Sequence, residues 1–150
     1  MIVLDNSVLS AFTRLELLNS LQLLFPNAII TQDILSEYSL KWQEIIPKWI
    51  QVLQPDDKIS LSDVPSSLSS ADLSIIRIAI ELKKPIASDD RPLRTYAKKL
   101  GILITGSLGL LKLLYKKHMI PTREKYINYL NLLREDVYIS EEHMKWALEE

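Results

Sequence analysis

The 150-residue chain has the length of one domain, enough to bury a core without staples. Its 47% hydrophobic and 25% charged residues are ordinary globular composition, and at a net charge of −1 a surface for a polyanion would need its basic residues gathered on one side. With no cysteine and only His118 and His143, the chain excludes disulfides, thiolate metal sites and a His-rich zinc site, leaving hard cations on oxygen ligands, Mg²⁺ or Mn²⁺ in type.

Met1 to Leu4 form an uninterrupted apolar run ending in Asp5-Asn6-Ser7, which predicts a strand buried on both faces, a turn and a helix start. No basic region precedes it, so the segment lacks the pattern of a signal peptide. Helical spacing follows through Leu9 and Phe12, then from Leu15 to Leu24. Ala28-Ile29-Ile30 predicts a second strand. Thr31 is placed to cap a helix whose one-faced stripe runs through Ile34, Leu35, Tyr38, Trp42, Ile45 and Ile46. Ile50 to Leu53 suits a strand, and the polar stretch after Pro55 an exposed loop. Ser69 opens an apolar helix from about Ala71 to Leu82, and Pro85 to Ser88 is a third buried strand running into Asp89-Asp90. A helix from Arg91 to Leu100 stops at Gly101, a good residue for the C′ position. Ile102 to Thr105 is a further strand, followed by helical patterns at Ser107 to Lys117, Thr122 to Leu133 and Ser140 to Leu148. The longest apolar runs, such as Leu108 to Tyr115, are broken by Gly109 and Lys112 and are too short to span a bilayer. A soluble cytoplasmic protein is the expectation.

Short apolar strands alternating with helices indicate an α/β protein, one domain over residues 1–150, with a parallel sheet covered on both faces. In such sheets ligands bind at the carboxyl ends of the strands. Asp5 ends the first strand and Asp89-Asp90 the third, so acids far apart in sequence meet at one sheet edge. Each also precedes a helix, where Asp is a common cap, but two like charges at one edge are costly unless a cation neutralises them. Asp72 shares a helix face with Ile75, Ile76 and Ala79 at about 100° per residue, and both a capping box with Ser69 and a metal-ligand role fit it. Glu37 borders the apolar stripe of its helix, whereas Asp33 in the first turn suits a favourable dipole interaction. Arg91, Arg94 and Lys98 share a face just after the acids, suited to tracking phosphates or to a solvated amphipathic surface. Trp42, Trp49 and Tyr96 suit base stacking or plain packing.

The segment Ile2 to Leu9, a strand ending in Asp and then Ser and an apolar helix, resembles the opening of PIN-domain nucleases. Ile29-Ile30-Thr31 leading to Leu35-Ser36-Glu37 is similar to their second motif, and Ser69-Ser70-Ala71-Asp72 to the third. Ala87-Ser88-Asp89-Asp90-Arg91 is similar to the last. Thr105-Gly106-Ser107-Leu108-Gly109 looks like the Gly-rich turn of the VapC-like toxin branch, and His118-Met119-Ile120-Pro121 like its "Gly-Leu-Ile-Pro"-type segment. The resemblance covers almost the whole chain. It departs at two places. Asp89-Asp90 offers two candidates for one position, and aligning Ser88 with the family's usual hydroxyl residue favours Asp90. Ala71-Asp72 stands where many relatives of this branch carry Gly-Glu, which keeps the acid and shortens its reach.

The resemblance implies a three-layer α/β/α PIN-like fold around a mostly parallel sheet of four to five strands. It implies Mg²⁺- or Mn²⁺-dependent hydrolysis of RNA phosphodiester bonds, with Asp5, Glu37, Asp72 and Asp90 as catalytic metal ligands. Grouped carboxylates hold one or two divalent ions that activate water and stabilise charge on phosphate. Asn6 and Ser7 would orient the ligands, and Asp89 would do so too or serve as a helix cap. The toxin-like branch further implies a small antitoxin and a homodimer as partners. Tyr126, Tyr129, Leu130 and Leu133 suit either interface, or packing on the sheet. A haloacid-dehalogenase-type phosphatase would need a second Asp where Ser7 stands, and a receiver domain would need paired acids at the first strand and Lys at the last. The serious rival is a PIN scaffold without activity, acting as a binding or regulatory module.

Overall fold

The computed structural model describes residues 1–149. Strands β1 (Ile2–Leu4), β2 (Ala28–Thr31), β3 (Ile50–Leu53), β4 (Ile86–Ala87) and β5 (Ile104–Thr105) form one sheet in the order β3-β2-β1-β4-β5. Every neighbouring pair is parallel, with Val3 at the centre facing Ile29 on one side and Ile86 on the other. Parallel neighbours need crossover connections, and helices α1 (Asn6–Arg14), α2 (Gln32–Trp42), α3 (Ser70–Leu82), α4 (Arg91–Lys99) and α5 (Ser107–Lys116) follow the strands and flank the sheet. Two more, α6 (Arg123–Asp136) and α7 (Glu141–Leu148), finish the chain. The result is the expected three-layer α/β/α arrangement. β1 and β2 are buried along their whole length, which is why their sequences are continuous apolar runs without alternation.

The chain builds outward from β1 through β2 to β3, then crosses back to β4 and β5 on the other side. Connections leaving β1 and β4 therefore diverge, and a crevice opens at the carboxyl ends of these two central strands. Asp5 follows β1 and Ser88-Asp89-Asp90 follows β4, so the topology itself delivers these residues to the crevice.

Three local expectations change. The helical stretch from Leu15 to Leu24 turns at Glu16, whose φ is 59°, and continues as a 3₁₀ helix over Leu18–Leu23. The stripe expected to run to Ile46 stops with α2 at Trp42, where Gln43 adopts the left-handed conformation. Ile46 precedes Pro47, which disfavours helical backbone, and Ile45 is left 95% exposed. The last strand shortens to Ile104–Thr105, with Leu103 facing solvent. Gly101, by contrast, takes the left-handed φ of 75° expected after α4.

The aromatic residues considered for stacking are packed. Tyr96 is buried and donates to the Ser62 carbonyl at 2.8 Å, Trp42 donates to Ser10 Oγ at 3.0 Å, and Trp49 to Asn19 Oδ1 at 3.0 Å. Tyr126, Leu130 and Leu133 are buried, too. Tyr126 stacks on Tyr115 of α5 with centroids 4.2 Å apart and donates to the Ala147 carbonyl of α7 at 2.8 Å. This face of α6 serves internal packing. No helix among the described residues is long and apolar enough to cross a membrane.

Candidate active site

Asp5 leaves β1 with its backbone N–H bonded to the Ala87 carbonyl of β4 at 2.9 Å, so the central pairing fixes where its side chain starts. Its extended backbone makes it the N-cap of α1. The side chain is 4% exposed and its two oxygens are used unequally. Oδ1 accepts from Asn6 N at 2.7 Å, while Oδ2 accepts from Ser7 Oγ at 2.9 Å and from Ser88 Oγ at 2.6 Å. The two serines are themselves acceptors. Ser7 Oγ receives Asp89 N at 2.9 Å, and Ser88 Oγ receives Asp90 N at 3.0 Å. Two backbone N–H groups of the β4–α4 turn are thus relayed through two hydroxyls onto one carboxylate oxygen. Both lone pairs of Oδ2 are occupied and one on Oδ1 is left.

Burial pushes the Asp5 carboxyl above its ordinary value, these hydrogen bonds pull it back, and the charge of Asp72 raises it further. Glu37, on the exposed side of α2, is also raised, first by partial desolvation and then by the charges of Asp5, Asp72 and Asp33. These acids therefore sense one another across three elements. None has a cationic partner among the described residues, where the ion pairs formed by Arg14 go to Glu135 and Asp136.

Asp72 is held in a full capping box. Its Oδ2 accepts from Ser69 N at 2.9 Å, and its own N–H donates to Ser69 Oγ at 3.1 Å. The cap and proximity to Asp5 coexist, as the sequence allowed. Two buried hydroxyls fix α3 against the sheet. Ser74 Oγ donates to the Ala71 carbonyl at 2.6 Å, so in the 2.7 Å contact with Thr31 Oγ1 it must be Thr31 that donates. Thr31 Oγ1 meanwhile accepts from Ile34 N, capping α2 and thereby setting the start of the helix that carries Glu37. Sequence reasoning missed Ser74; a lone hydroxyl within the apolar run of α3 was its only signal.

The pair at the end of β4 divides its work differently from expectation. Asp90 caps α4, with Oδ2 accepting from Leu93 N at 3.0 Å, so the cap is not Asp89. Asp89 binds Ser107 at the start of α5, Oδ1 taking the backbone N–H at 2.7 Å and Oδ2 the hydroxyl. Arg94 Nη1 closes this corner on the Ser88 carbonyl at 2.7 Å. The corner is tight at Gly106, where a Cβ would lie 2.8 Å from both Arg94 Nη1 and Asp89 Oδ1 and would displace one of these hydrogen-bonded side chains. Asp90 joins the other acids through Ser88 rather than through a direct charge interaction.

Among the described residues, no three acids or histidines are closed together as a ready ion cage. The donors nevertheless suit a hard divalent cation. They are carboxylate oxygens, the neighbouring charges raise Asp5 and Glu37, no ion pair among the described residues engages them, and Asp5 keeps one lone pair of Oδ1 uncommitted. A groove of about 1130 Å³ is walled by Ser7, Asp90, Arg91, Lys98 and Tyr138 among others; of the four candidate ligands only Asp90 lines it.

A family model described as a PIN domain matches residues 1–150. No curated protein matches the chain.

Proposed function

The chain belongs to the PIN-domain family, and on that premise we propose that it is a divalent-metal-dependent ribonuclease in which Asp5, Glu37, Asp72 and Asp90 serve the metal. The observation that carries this reading is Asp5. A buried carboxylate at the crevice of a parallel sheet, raised by burial and by Asp72 and lacking a cationic partner, is costly for a protein that never binds a cation there. Mg²⁺ or Mn²⁺ would supply charge for the phosphate and lower the pKa of water.

The protein's own groups then have distinct tasks. Asp5 offers Oδ1, because Ser7 and Ser88 hold Oδ2 and fix the carboxylate plane. Glu37, exposed on α2, is the acid free to swing toward an ion or to take up a proton near the reacting phosphate. Asp72 reaches from its capping box, and Asp90 keeps Oδ1 available while Oδ2 caps α4. Residues 1–150 would act as one domain in the cytoplasm, as the toxin of a toxin–antitoxin pair held by a small antitoxin, with a homodimer as its assembly. That role rests on the resemblance of the Thr105–Gly109 turn and of the segment around Pro121 to the toxin-like branch.

One observation favours the second reading, a PIN scaffold that binds without cutting: the acids are not drawn into a closed cage. Incubating the purified chain with labelled RNA, with Mn²⁺ or with chelator, beside Asp5→Asn and Asp90→Asn, separates the two. Cleavage that needs Mn²⁺ and is lost in both variants is expected. Cleavage indifferent to chelator or to these changes would sink the metal-nuclease reading, and a chain that neither cuts RNA nor binds Mn²⁺ is the inert scaffold.

A further inference from the structure

Val137, Tyr138 and Ile139 connect α6 to α7. Val137 has φ −123° and ψ 129°, and its N–H is tied to the Leu133 carbonyl at 2.9 Å. Successive side chains of extended backbone point to opposite sides. Val137 and Ile139 pack against the core, and Tyr138 is turned out, 90% exposed. Its outward position follows from the packing of the residues on either side. The ring makes no hydrogen bond, ion pair or aromatic contact, unlike Tyr38, Tyr96, Tyr115 and Tyr126.

Tyr138 stands on the groove that also reaches Asp90 and Ser7. Lys41, Arg91, Arg94 and Lys98 line the same groove, and none is ion-paired among the described residues. Four acids line it too: Asp136 is paired with Arg14, Asp89 and Asp90 accept from Ser107 and the α4 backbone, and Glu142 lies on α7, away from Arg91 and Lys98 in sequence and on another element. Arg91 and Lys98, which have no partner among the described residues, beside an exposed and unpartnered aromatic ring supply the pairing that single-stranded nucleic acid requires, phosphates on the cations and a base on the ring.

We propose that Tyr138 is a stacking platform for a base of a single-stranded RNA laid along this groove, with Arg91 and Lys98 holding its backbone beside the acidic site. The proposal rests on the ribonuclease reading for its direction and names the substrate as unpaired RNA rather than duplex, in which bases are already stacked.

The test is binding of a fluorescently labelled single-stranded RNA of about twelve nucleotides to the full chain carrying Asp5→Asn, measured by anisotropy across a range of salt. Adding Tyr138→Ala is expected to weaken binding about tenfold with an unchanged salt slope, while Tyr138→Phe keeps the affinity. Lys98→Ala is expected to lower the slope by about 0.7. Equal affinity for Tyr138→Ala, or a loss equal in Ala and Phe variants, overturns the proposal. So does an absence of RNA binding at low salt, which leaves the groove to a peptide. Tyr138-dependent binding by a wild-type chain that does not cut would sink the nuclease reading alone. Asp5-dependent cutting at the wild-type rate and affinity by Tyr138→Ala would sink the platform alone.

Discussion

Asp5 is a charge whose surroundings both resist and support it. Desolvation holds its folded pKa above the ordinary 3.8, so the folded chain binds this proton more tightly than the unfolded chain does. Its contribution to stability is then most favourable below 3.8 and is lost as pH rises from there through the raised folded value. Glu37 acts in the same direction, from an ordinary value of 4.5 upward. Replacing Asp5 by Asn removes the charge and keeps the shape, but turns one accepting oxygen into an amide donor, so the hydroxyls of Ser7 and Ser88 must reorient, a cost that does not vary with pH. With chelator present, the gap in urea midpoint between variant and wild type is expected to shift in the variant's favour as pH rises from 3.8 to neutral. Urea midpoints of both proteins across that range check this; a gap independent of pH would mean that the carboxylate is not the source of strain.

At the scale of elements, two small joints hold the crevice and the C-terminus. The joint between β4 and α5 is the corner of Asp89, Ser107, Arg94 and Gly106. Gly106→Ala puts a methyl 2.8 Å from Asp89 Oδ1, which is anchored by Ser107, and a loss of about 1–3 kcal/mol is expected in thermal unfolding. Adding Arg94→Ala, which frees one side of the corner, should recover part of the steric loss; a purely additive double variant would refute this account. The other joint is Lys112, 5% exposed on α5, whose ammonium donates to the Trp146 carbonyl in the last turn of α7 and lies 4.0 Å from the Trp146 ring centroid. A cation on the carboxyl end of a helix complements its dipole. Lys112→Met keeps most of the volume but leaves that carbonyl only the 3.3 Å bond from Glu149 N, costing about 1 kcal/mol. Hydrogen exchange should show α7 amides losing protection while β1 and β4 keep theirs; equal loss everywhere would mean that α7 is not a separate unit.

For the molecule as a whole, the proposed ion at Asp5, Glu37 and Asp72 would relieve the repulsion among their charges and so couple its binding to folding. A cation that binds only the folded chain at a hundredfold over its Kd adds about 2.7 kcal/mol. Mn²⁺ is therefore expected to raise the wild-type Tm by several degrees and to leave Asp5→Asn nearly unmoved in a melting series; an equal rise in both would place the bound ion elsewhere. The hydroxyls of Ser7 and Ser88 offset part of the cost of burying Asp5.

Much of this fold is legible along the chain because it is local. Continuous apolar runs of two to four residues mark strands that helices cover on both faces, and Thr31, Ser69 and Thr122 mark helix starts by their own side chains. From those runs alone follow a parallel sheet and acids at its carboxyl edge. The family resemblance adds Glu37 to the set. What the chain could not reveal depends on partners far away in sequence. That Asp90 rather than Asp89 caps α4 is decided by Ser107, 18 residues on, which claims both oxygens of Asp89. That Ser88 belongs to Asp5 is decided by pairing of β1 with β4, 83 residues apart. Tyr138 is turned outward by the packing of Val137 and Ile139 against the core. Capping and periodicity act within a turn or two of helix, so sequence carries them, whereas the sharing of hydroxyls and carboxylates is settled only when the strands lie side by side.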